Sequence, residues 1–342
     1  MIIDWQHHIA TKESFERRGG KEDQLVWGLD AEGRGRGLLR NEIYRVDKHL
    51  KFMDAAGIDL AVISTFCSTV EDCKAADDLY AKLMKDYPRR FVGLAPVAPT
   101  KGKEALDEME RAIKGLGLKG VCLSTTLEDG TLLDSHKLWP FYEKVSELKV
   151  PIFVHVSEPP GYDALYDAPY NLALTLVREF NLAETAARIV LSGVLAEFPD
   201  LKFVIAHMGG GISAIKERLV RYIRVWDEKF WAWDKKFWAE IGSSHPLSKP
   251  YAESFEKDFS KLYFDMAGFE GGMNAVKCAL TTIAPDHLLF GTDYYPNFTG
   301  SPSGAKDSIG ARNYIQDIKA LDLAPEAIEG ILGNNAAKLL GI

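Results

Sequence analysis

Eight short apolar runs recur along the 342-residue chain, and a helical pattern follows each of them. The runs lie at Ile2–Trp5, Leu60–Ser64, Phe91–Leu94, Gly120–Leu123, Ile152–Val156, Phe203–Ala206, Leu262–Phe264 and Leu288–Phe290. Most are continuous rather than alternating, which is typical of strands buried on both faces of a parallel sheet. The helical patterns lie at Tyr44–Ala56, Ala75–Tyr87, Lys103–Lys114, Leu138–Leu148, Asn171–Glu197, Ile212–Lys229, Met273–Ala284 and Pro325–Leu340. This order predicts an α/β fold, a (β/α)8 TIM barrel, although a doubly wound open sheet gives a similar order.

The charge balance and the cysteines bear on the class of partner. The formal net charge is −8 and no block of Lys or Arg is present, so the chain lacks the basic patch that nucleic acids and anionic membranes require. No apolar run approaches the roughly 18 residues that a membrane span needs. The four cysteines follow neither a disulfide framework nor a zinc-knuckle spacing. We therefore predict a cytoplasmic protein that binds a small molecule.

Two stretches interrupt the alternation. Glu13–Asn41 is rich in Gly and Arg, and Tyr222–Ser260 carries Trp226, Trp231, Trp233 and Trp238. We predict a single barrel domain over residues 1–342 with an aromatic-rich insertion at about 222–260. The tryptophans either pack on the barrel or on a second subunit, or they contact the substrate, since long loops on this face of a barrel often carry function.

Polar side chains of a few chemical types stand where several apolar runs end. In chain order they are Gln6, His7, His8, His155, His207 and Asp293. Each of them alone could simply cap a neighbouring backbone group. A parallel barrel, however, brings the carboxyl ends of its strands to one mouth, and His with Asp is a typical ligand set for a divalent metal. The pattern therefore predicts a metal site at the mouth.

The surrounding motifs make a family resemblance specific. They are Asp4-x-x-x-His8, Pro151-Ile-Phe-Val-His155, Pro199-Asp-Leu-Lys-Phe-Val-Ile-Ala-His207-Met-Gly-Gly, Leu289-Phe-Gly-Thr-Asp293-Tyr-Tyr-Pro296 and the closing Gly333-Asn-Asn-Ala-Ala-Lys-Leu-Leu-Gly341. Together they resemble the amidohydrolase-related family, whose fold is the metal-dependent-hydrolase type of TIM barrel. Within it the similarity is to the branch of the aminocarboxymuconate semialdehyde, resorcylate and carboxyvanillate decarboxylases, from residue 2 to residue 342.

The resemblance implies one divalent metal ion, Zn or Mn. It implies His8, His155 and Asp293 as ligands, and His207 with Asp293 as the catalytic acid–base groups. At the remaining ligand position, where the family has His or Glu, this chain has Gln6, whose neutral amide oxygen is a weaker ligand. His7 does not easily replace it, because successive side chains on a strand point to opposite faces, unless the strand ends at Gln6 and His7 turns inward.

The resemblance implies a decarboxylase of an aromatic or unsaturated carboxylic acid, a carbon–carbon lyase, and a homodimer or homotetramer. A hydrolase of a lactone, ester or amide on the same metal site is the first alternative. An impaired barrel with a binding or assembly role is the second, because of Gln6. The candidate substrate-binding residues are Arg218, Arg45 and Tyr294, with Lys48, Tyr295 and Phe298 as weaker candidates.

Overall fold

A computed structural model describes residues 1–29, 35–157, 172–240, 251–268, 272–294 and 305–342. The strands in chain order are β1 (Ile3–His8), β2 (Val26–Leu29), β3 (Gly35–Leu39), β4 (Leu60–Ser64), β5 (Phe91–Gly93), β6 (Ala95–Pro96), β7 (Val121–Ser124), β8 (Ile152–His155), β9 (Phe203–Ile205), β10 (Tyr263–Asp265) and β11 (Leu288–Leu289). The helices are α1 (Lys12–Arg17), α2 (Val46–Ala56), α3 (Val70–Asp86), α4 (Lys103–Glu110), α5 (Trp139–Leu148), α6 (Arg178–Leu191), α7 (Val194–Glu197), α8 (His207–Gly210), α9 (Ile212–Glu240), α10 (Tyr251–Phe259), α11 (Gly272–Ala279), α12 (Ala305–Lys319), α13 (Pro325–Glu329) and α14 (Asn335–Leu340).

The eight predicted runs form a ring of parallel strands. β1, β4 and β5 pair in that order, and β6, β7, β8, β9, β10 and β11 pair in sequence. β5 and β6 are two halves of one barrel strand, interrupted at Leu94. The ring closes between β1 and β11, where the Trp5 amide donates to the Phe290 carbonyl oxygen at 2.8 Å and His7 bridges Tyr294 in parallel register. This closure distinguishes the TIM barrel from the open sheet that the sequence also allowed.

The core explains why the strands are apolar throughout. All five residues of β4 are buried, since one face packs inside the barrel and the other against the helices. Inside the barrel, the Trp5 and Phe153 rings meet edge to face with centroids 6.2 Å apart. None of the described helices is long and apolar enough to cross a bilayer.

Three features of the chain were not predicted from its sequence. The Gly- and Arg-rich stretch contains an antiparallel hairpin of β2 and β3. α12 was missed, although it contacts α2. α9 continues through half of the predicted insertion as one helix of 29 residues, and residues 241–250 lie outside the described part.

Gly210 lies where the backbone after β9 packs closely against the backbone of Glu179. A Cβ at Gly210 would lie 1.8 Å from the carbonyl oxygen of Glu179, and its φ is +60°. Gly211 has a similar φ of +80° but no atom within 4 Å of a built Cβ, so it is a matched control.

We expect Gly210→Ala to lower the free energy of unfolding by roughly 3 kcal/mol or more, because strain and overlap add. Gly211→Ala should cost about 1 kcal/mol, from strain alone. Urea unfolding followed by far-UV circular dichroism measures both, and equal losses would contradict the packing argument.

Candidate metal centre

Five predicted side chains meet at the carboxyl ends of the barrel strands. Gln6 and His8 stand at the end of β1 and His155 ends β8. His207 lies two residues after the short strand β9, and Asp293 follows β11. Their convergence results from barrel closure, because β1 and β11 are far apart in sequence but adjacent in the ring.

Three of these residues form a group that can hold a metal ion. One ligand atom each from His8, His155 and Asp293 lies within 4.8 Å of the other two. His8 Nε2 is 2.9 Å from Asp293 Oδ1, and His155 Nε2 is 3.7 Å from the same oxygen. Such spacings leave room for one cation between two imidazoles and a carboxylate, a donor set suited to Zn or Mn.

Backbone carbonyl groups orient both imidazoles. His8 Nδ1 is 3.2 Å from the Ser64 carbonyl oxygen, and His155 Nδ1 is 3.1 Å from the Val156 carbonyl oxygen. Because a carbonyl only accepts, each Nδ1 carries a hydrogen, and a neutral imidazole then presents the lone pair of its Nε2 to the group. Burial lowers the pKa of His155 to about 4, so this imidazole is neutral near pH 7, as a metal ligand must be.

Two orphaned polar atoms also fit a bound cation. Among the described residues, His155 Nε2 and Gln6 Oε1 are buried and have no hydrogen-bond partner. Buried polar atoms without partners are rare in proteins, and a bound ion is one accepted reason for them. The residues present therefore fit a divalent metal.

Asp293 is held in an uncommon backbone conformation. Its φ is +56°, in the left-handed region that non-glycine residues seldom adopt. Burial alone would raise the pKa of Asp293, but the polar contacts of its carboxyl group with the imidazoles of His155 and His8 outweigh it and hold the pKa well below its usual range. Asp293 is therefore a carboxylate, the form that ligates metals.

His207 sits in a strained turn beside this group. The φ values of His207 and Met208 are +51° and +53°, and the His207 amide donates to Asp265 Oδ1 at 3.1 Å. His207 Nδ1 is 2.9 Å from Glu179 Oε1. Burial disfavours the charged imidazole, but the Glu179 carboxylate outweighs it and raises the pKa of His207 to about 10. Strain of this kind is common at functional sites.

The amide of Gln6 lies between His207, the predicted acid–base residue, and Asp293, a predicted ligand. Its Nε2 lies 2.7 Å from Asp293 Oδ1 and 3.0 Å from His207 Nε2. Donation to both requires a neutral His207 whose hydrogen is on Nδ1. A charged His207 would instead donate from Nε2, and the amide would have to turn by 180° to present Oε1. The protonation of His207 and the orientation of Gln6 are therefore coupled.

A buried network lies behind the metal group. His7 Nδ1 is 2.9 Å from Asp4 Oδ2, and His7 Nε2 is 2.8 Å from His49 Nδ1. His49 Nε2 is in turn 2.8 Å from the Glu42 carbonyl oxygen. His7 thus lies on the opposite face of β1 from His8, and the alternative in which His7 turns inward is not adopted.

These three contacts constrain the protonation of the network. Each of the three contacts needs one hydrogen atom between its two polar atoms, whereas the neutral imidazoles of His7 and His49 carry only two hydrogens on nitrogen. The network must therefore hold a third hydrogen, either on the Asp4 carboxyl group or on an imidazole that becomes charged. Burial raises the pKa of Asp4 to about 7, despite the hydrogen bonds from Thr292, and burial lowers the pKa of His7 to about 3, which favours Asp4 as the carrier.

An aromatic side chain stands over the imidazoles. Phe66, 37% exposed, follows β4. Its ring stacks on His155 with centroids 4.8 Å apart and lies 5.9 Å from the ring of His8. An exposed aromatic face beside the ligands offers a flat surface at the mouth.

The predicted substrate-binding residues lie at separate places in the fold, and each has its own contacts. Arg45 is partly exposed and pairs with Asp47 at 3.2 Å. Arg218 is exposed on α9, where its guanidinium lies 4.8 Å from the centre of the Tyr222 ring. Tyr294 is buried and stacks on Phe52 with centroids 3.8 Å apart. Tyr295 and Phe298 lie outside the described residues. Substrate contact by these side chains stays a prediction.

Known proteins are similar to this chain in sequence and in fold. The chain matches the sequence model of the Amidohydrolase family over residues 3–342. The chain belongs to the amidohydrolase family. It is 25% identical over 310 residues to a gamma-resorcylate decarboxylase of Polaromonas sp. strain JS666, a match that covers 85% of this chain and 87% of the relative.

Solved structures share the barrel of this amidohydrolase. A 5-carboxyvanillate decarboxylase of Sphingomonas paucimobilis matches with a TM-score of 0.75 at 20% identity, over 100% of this chain and 99% of that one. A dihydroxybenzoic acid decarboxylase of Polaromonas sp. JS666, solved with manganese and the inhibitor 2-nitroresorcinol, matches with a TM-score of 0.70 at 22% identity, over 99% and 96%. The predicted family and fold are confirmed.

Sequence reasoning missed several groups around the metal-ligand residues of this amidohydrolase. Asp265 ends β10 and could have been found as the polar residue directly after the seventh apolar run. Glu179 and Phe66 carried no signal, because only the fold brings them to His207 and His155. Asp4 and Thr292 were both noted as parts of motifs, but the contact between them was not predicted.

The Asp4–Thr292 contact holds the segment that presents Asp293. The Thr292 hydroxyl donates to Asp4 Oδ2 at 2.6 Å, and its amide donates to Asp4 Oδ1 at 2.8 Å. We expect Thr292→Val to raise the metal dissociation constant roughly 10-fold and to lower the free energy of unfolding by about 1–3 kcal/mol.

Thr126→Val is the matched control. The Thr126 hydroxyl is buried and has no hydrogen-bond partner among the described residues, so its loss should change neither quantity. Calorimetric titration with Mn²⁺ and urea unfolding measure both variants. Unchanged metal affinity in Thr292→Val would show that this contact does not position Asp293.

Proposed function

We propose that this protein is a metal-dependent decarboxylase, a carbon–carbon lyase, of aromatic carboxylic acids. The observation that carries the proposal is the group of His8, His155 and Asp293 beside the His207–Glu179 pair. The decarboxylase names of relatives in the same family support this reaction over others. The cytoplasmic location, suggested by four free cysteines, and a homodimer or homotetramer belong to the proposal as well.

The ligand residues set where the substrate would sit. His8, His155 and Asp293 would hold a divalent ion, Mn or Zn, which would supply a positive charge that attracts the anionic substrate. The ring of the substrate would lie on the exposed face of Phe66, because that side chain already stacks on His155. Arg45 and Arg218 remain candidates for binding the carboxylate group of the substrate.

His207 and Asp293 are the groups that can move a proton to the ring. Decarboxylation needs a proton at the ring carbon that bears the carboxylate, and the electron pair of the carbon–carbon bond then restores the ring as carbon dioxide leaves. His207 Nε2 is 3.8 Å from Asp293 Oδ2, so both reach the same region. Glu179 stabilises the charged form of His207 and can hold a proton on Nδ1.

A decarboxylation assay tests the proposal directly. Protein loaded with Mn²⁺ or Zn²⁺ should release carbon dioxide from at least one member of a hydroxybenzoate panel and should not hydrolyse lactones, esters or amides. The reverse result would establish the hydrolase alternative. Less than about a tenth of an equivalent of metal, with no gain on adding Zn²⁺ or Mn²⁺, would favour the impaired barrel.

Two substitutions separate ligand from proton-transfer roles. His155→Asn should abolish tight metal binding and activity together, because a neutral imidazole ligand is lost. His207→Asn should keep the metal but lower kcat by about 10²- to 10⁴-fold, the usual contribution of a general acid. His136→Asn, at an exposed histidine that packs on Trp139, is the control. Loss of metal from His207→Asn would contradict the division of roles.

Gln6→Glu tests the departure at the first ligand position. A carboxylate is a stronger ligand than an amide, so we expect the Mn²⁺ dissociation constant to fall at least 10-fold. Without metal the variant should be less stable than the parent, because two carboxylates would lie side by side where Gln6 Nε2 is now 2.7 Å from Asp293. Calorimetric titration and thermal unfolding with and without EDTA measure the two effects; unchanged affinity would place Gln6 outside the ligand set.

A further inference from the structure

Asp293 lies between two neighbours that are both fixed to the barrel. Thr292 is held by the hydrogen bonds of its hydroxyl and its amide to Asp4. Tyr294 is held at its backbone, because its carbonyl oxygen accepts from the His8 amide and its own amide donates to the Thr292 hydroxyl oxygen at 3.1 Å. The turn that presents the Asp293 carboxylate is therefore fastened on both sides.

Three buried side chains surround the ring of Tyr294, and we call them the Tyr294 box. They are His7 of β1 with His49 and Phe52 of α2. The Phe52 ring stacks on Tyr294 with centroids 3.8 Å apart and an interplanar angle of 13°. The His49 ring meets the Tyr294 ring edge to face at 5.2 Å, and the His7 ring lies 5.1 Å away. The box thus attaches the end of the last barrel strand to α2.

The Tyr294 box lies behind the metal-ligand group and not at the mouth. His7 is fully buried on the face of β1 opposite His8. Tyr294 is 8% exposed, whereas Phe66, which stacks on the ligand His155, is 37% exposed. A role behind the ligands therefore fits the Tyr294 ring better than the substrate contact that the sequence predicted.

The backbone of Asp293 needs an anchor of this kind. Its φ of +56° is one that a non-glycine residue keeps only where the surrounding structure imposes it. If the Tyr294 ring were not held, the chain after Thr292 could relax and carry the carboxylate away from His8 Nε2, which is now 2.9 Å from Asp293 Oδ1. Residues that orient a ligand without touching the metal often set the metal affinity.

We propose that Tyr294 is a positioning residue of the metal site, whose packed ring fixes the backbone of Asp293 and thereby the affinity for a divalent ion. It adds an aromatic anchor to the polar anchor that Asp4 gives to Thr292. The inference rests on the group of His8, His155 and Asp293, and it is independent of the choice between decarboxylation and hydrolysis.

Calorimetric titration with Mn²⁺ tests the role of the ring. Tyr294→Leu should raise the Mn²⁺ dissociation constant roughly 10-fold or more, because losing a contact that orients a ligand usually costs about 10- to 100-fold. Tyr294→Phe keeps the stacked ring and should bind Mn²⁺ as the parent does. Phe52→Leu removes the stacking partner from the side of α2 and should raise the dissociation constant as well.

Phe255→Leu is the matched control. Phe255 is fully buried and stacks on Phe259 with centroids 5.9 Å apart and an interplanar angle of 15°, in α10. Its loss should lower the Tm, measured by circular dichroism, without changing the Mn²⁺ affinity. An equal loss of affinity in Phe255→Leu would show that general destabilisation is the cause and would overturn the proposal.

Two further outcomes would also overturn it. One is unchanged affinity in folded Tyr294→Leu, or in Phe52→Leu if Tyr294→Leu does not fold. The other is a parent that binds no Mn²⁺, since there would be no metal site to position. Carbon dioxide release by the parent is measured separately and bears only on the proposed reaction.

Discussion

The junction of β1 and β11 is the constraint on which the rest of the site depends. Without it the chain would be an open sheet with β1 at one edge and β11 at the other. The Trp5–Phe290 backbone hydrogen bond and the Asp4–Thr292 contacts close the ring. Closure brings His8, from the first strand, to 2.9 Å from Asp293, which follows the last. The metal-ligand group is therefore a product of the closed barrel rather than of any local segment.

The residues that act and the residues that hold them differ in exposure. His8, His155, His207 and Asp293 are partly accessible at the mouth, as groups that meet a substrate must be. Behind them Asp4, His7 and Asp265 are fully buried. Buried polar groups are costly unless they find partners, so the hydrogen bonds of Asp4 to Thr292 and of Asp265 to the His207 amide fix the geometry in front of them. His207, Met208 and Asp293 have left-handed backbone conformations, which non-glycine residues seldom adopt. At these residues the surrounding structure holds the backbone against its usual conformational preference.

Gln6 illustrates how one side chain at the end of a barrel strand affects the chemistry of a site. An amide can donate as well as accept, so Gln6 Nε2 can join a neutral His207 to Asp293 by hydrogen bonds that no carboxylate could form, whereas a charged His207 would need Gln6 Oε1. It thereby links the protonation of the acid–base residue to the ligand group. Because the amide oxygen of Gln6 is neutral, it is also a weaker metal ligand than an imidazole or a carboxylate. The relatives with decarboxylase names are therefore a better guide to the reaction of this protein than to its affinity for the metal.

The sequence by itself determined the barrel strands and the chemistry at their ends. Continuous apolar runs report burial on both faces, and the polar residues after them are the ones that face the mouth, so Gln6, His8, His155, His207 and Asp293 were identified locally. Tertiary structure alone decided that Glu179 meets His207, that Phe66 covers His155 and that Arg218 faces solvent on α9. These depend on how helices and loops pack on the ring, and no periodicity in the chain encodes such contacts. The long aromatic helix was visible as a run of tryptophans, but only the fold showed which of its sides is left exposed.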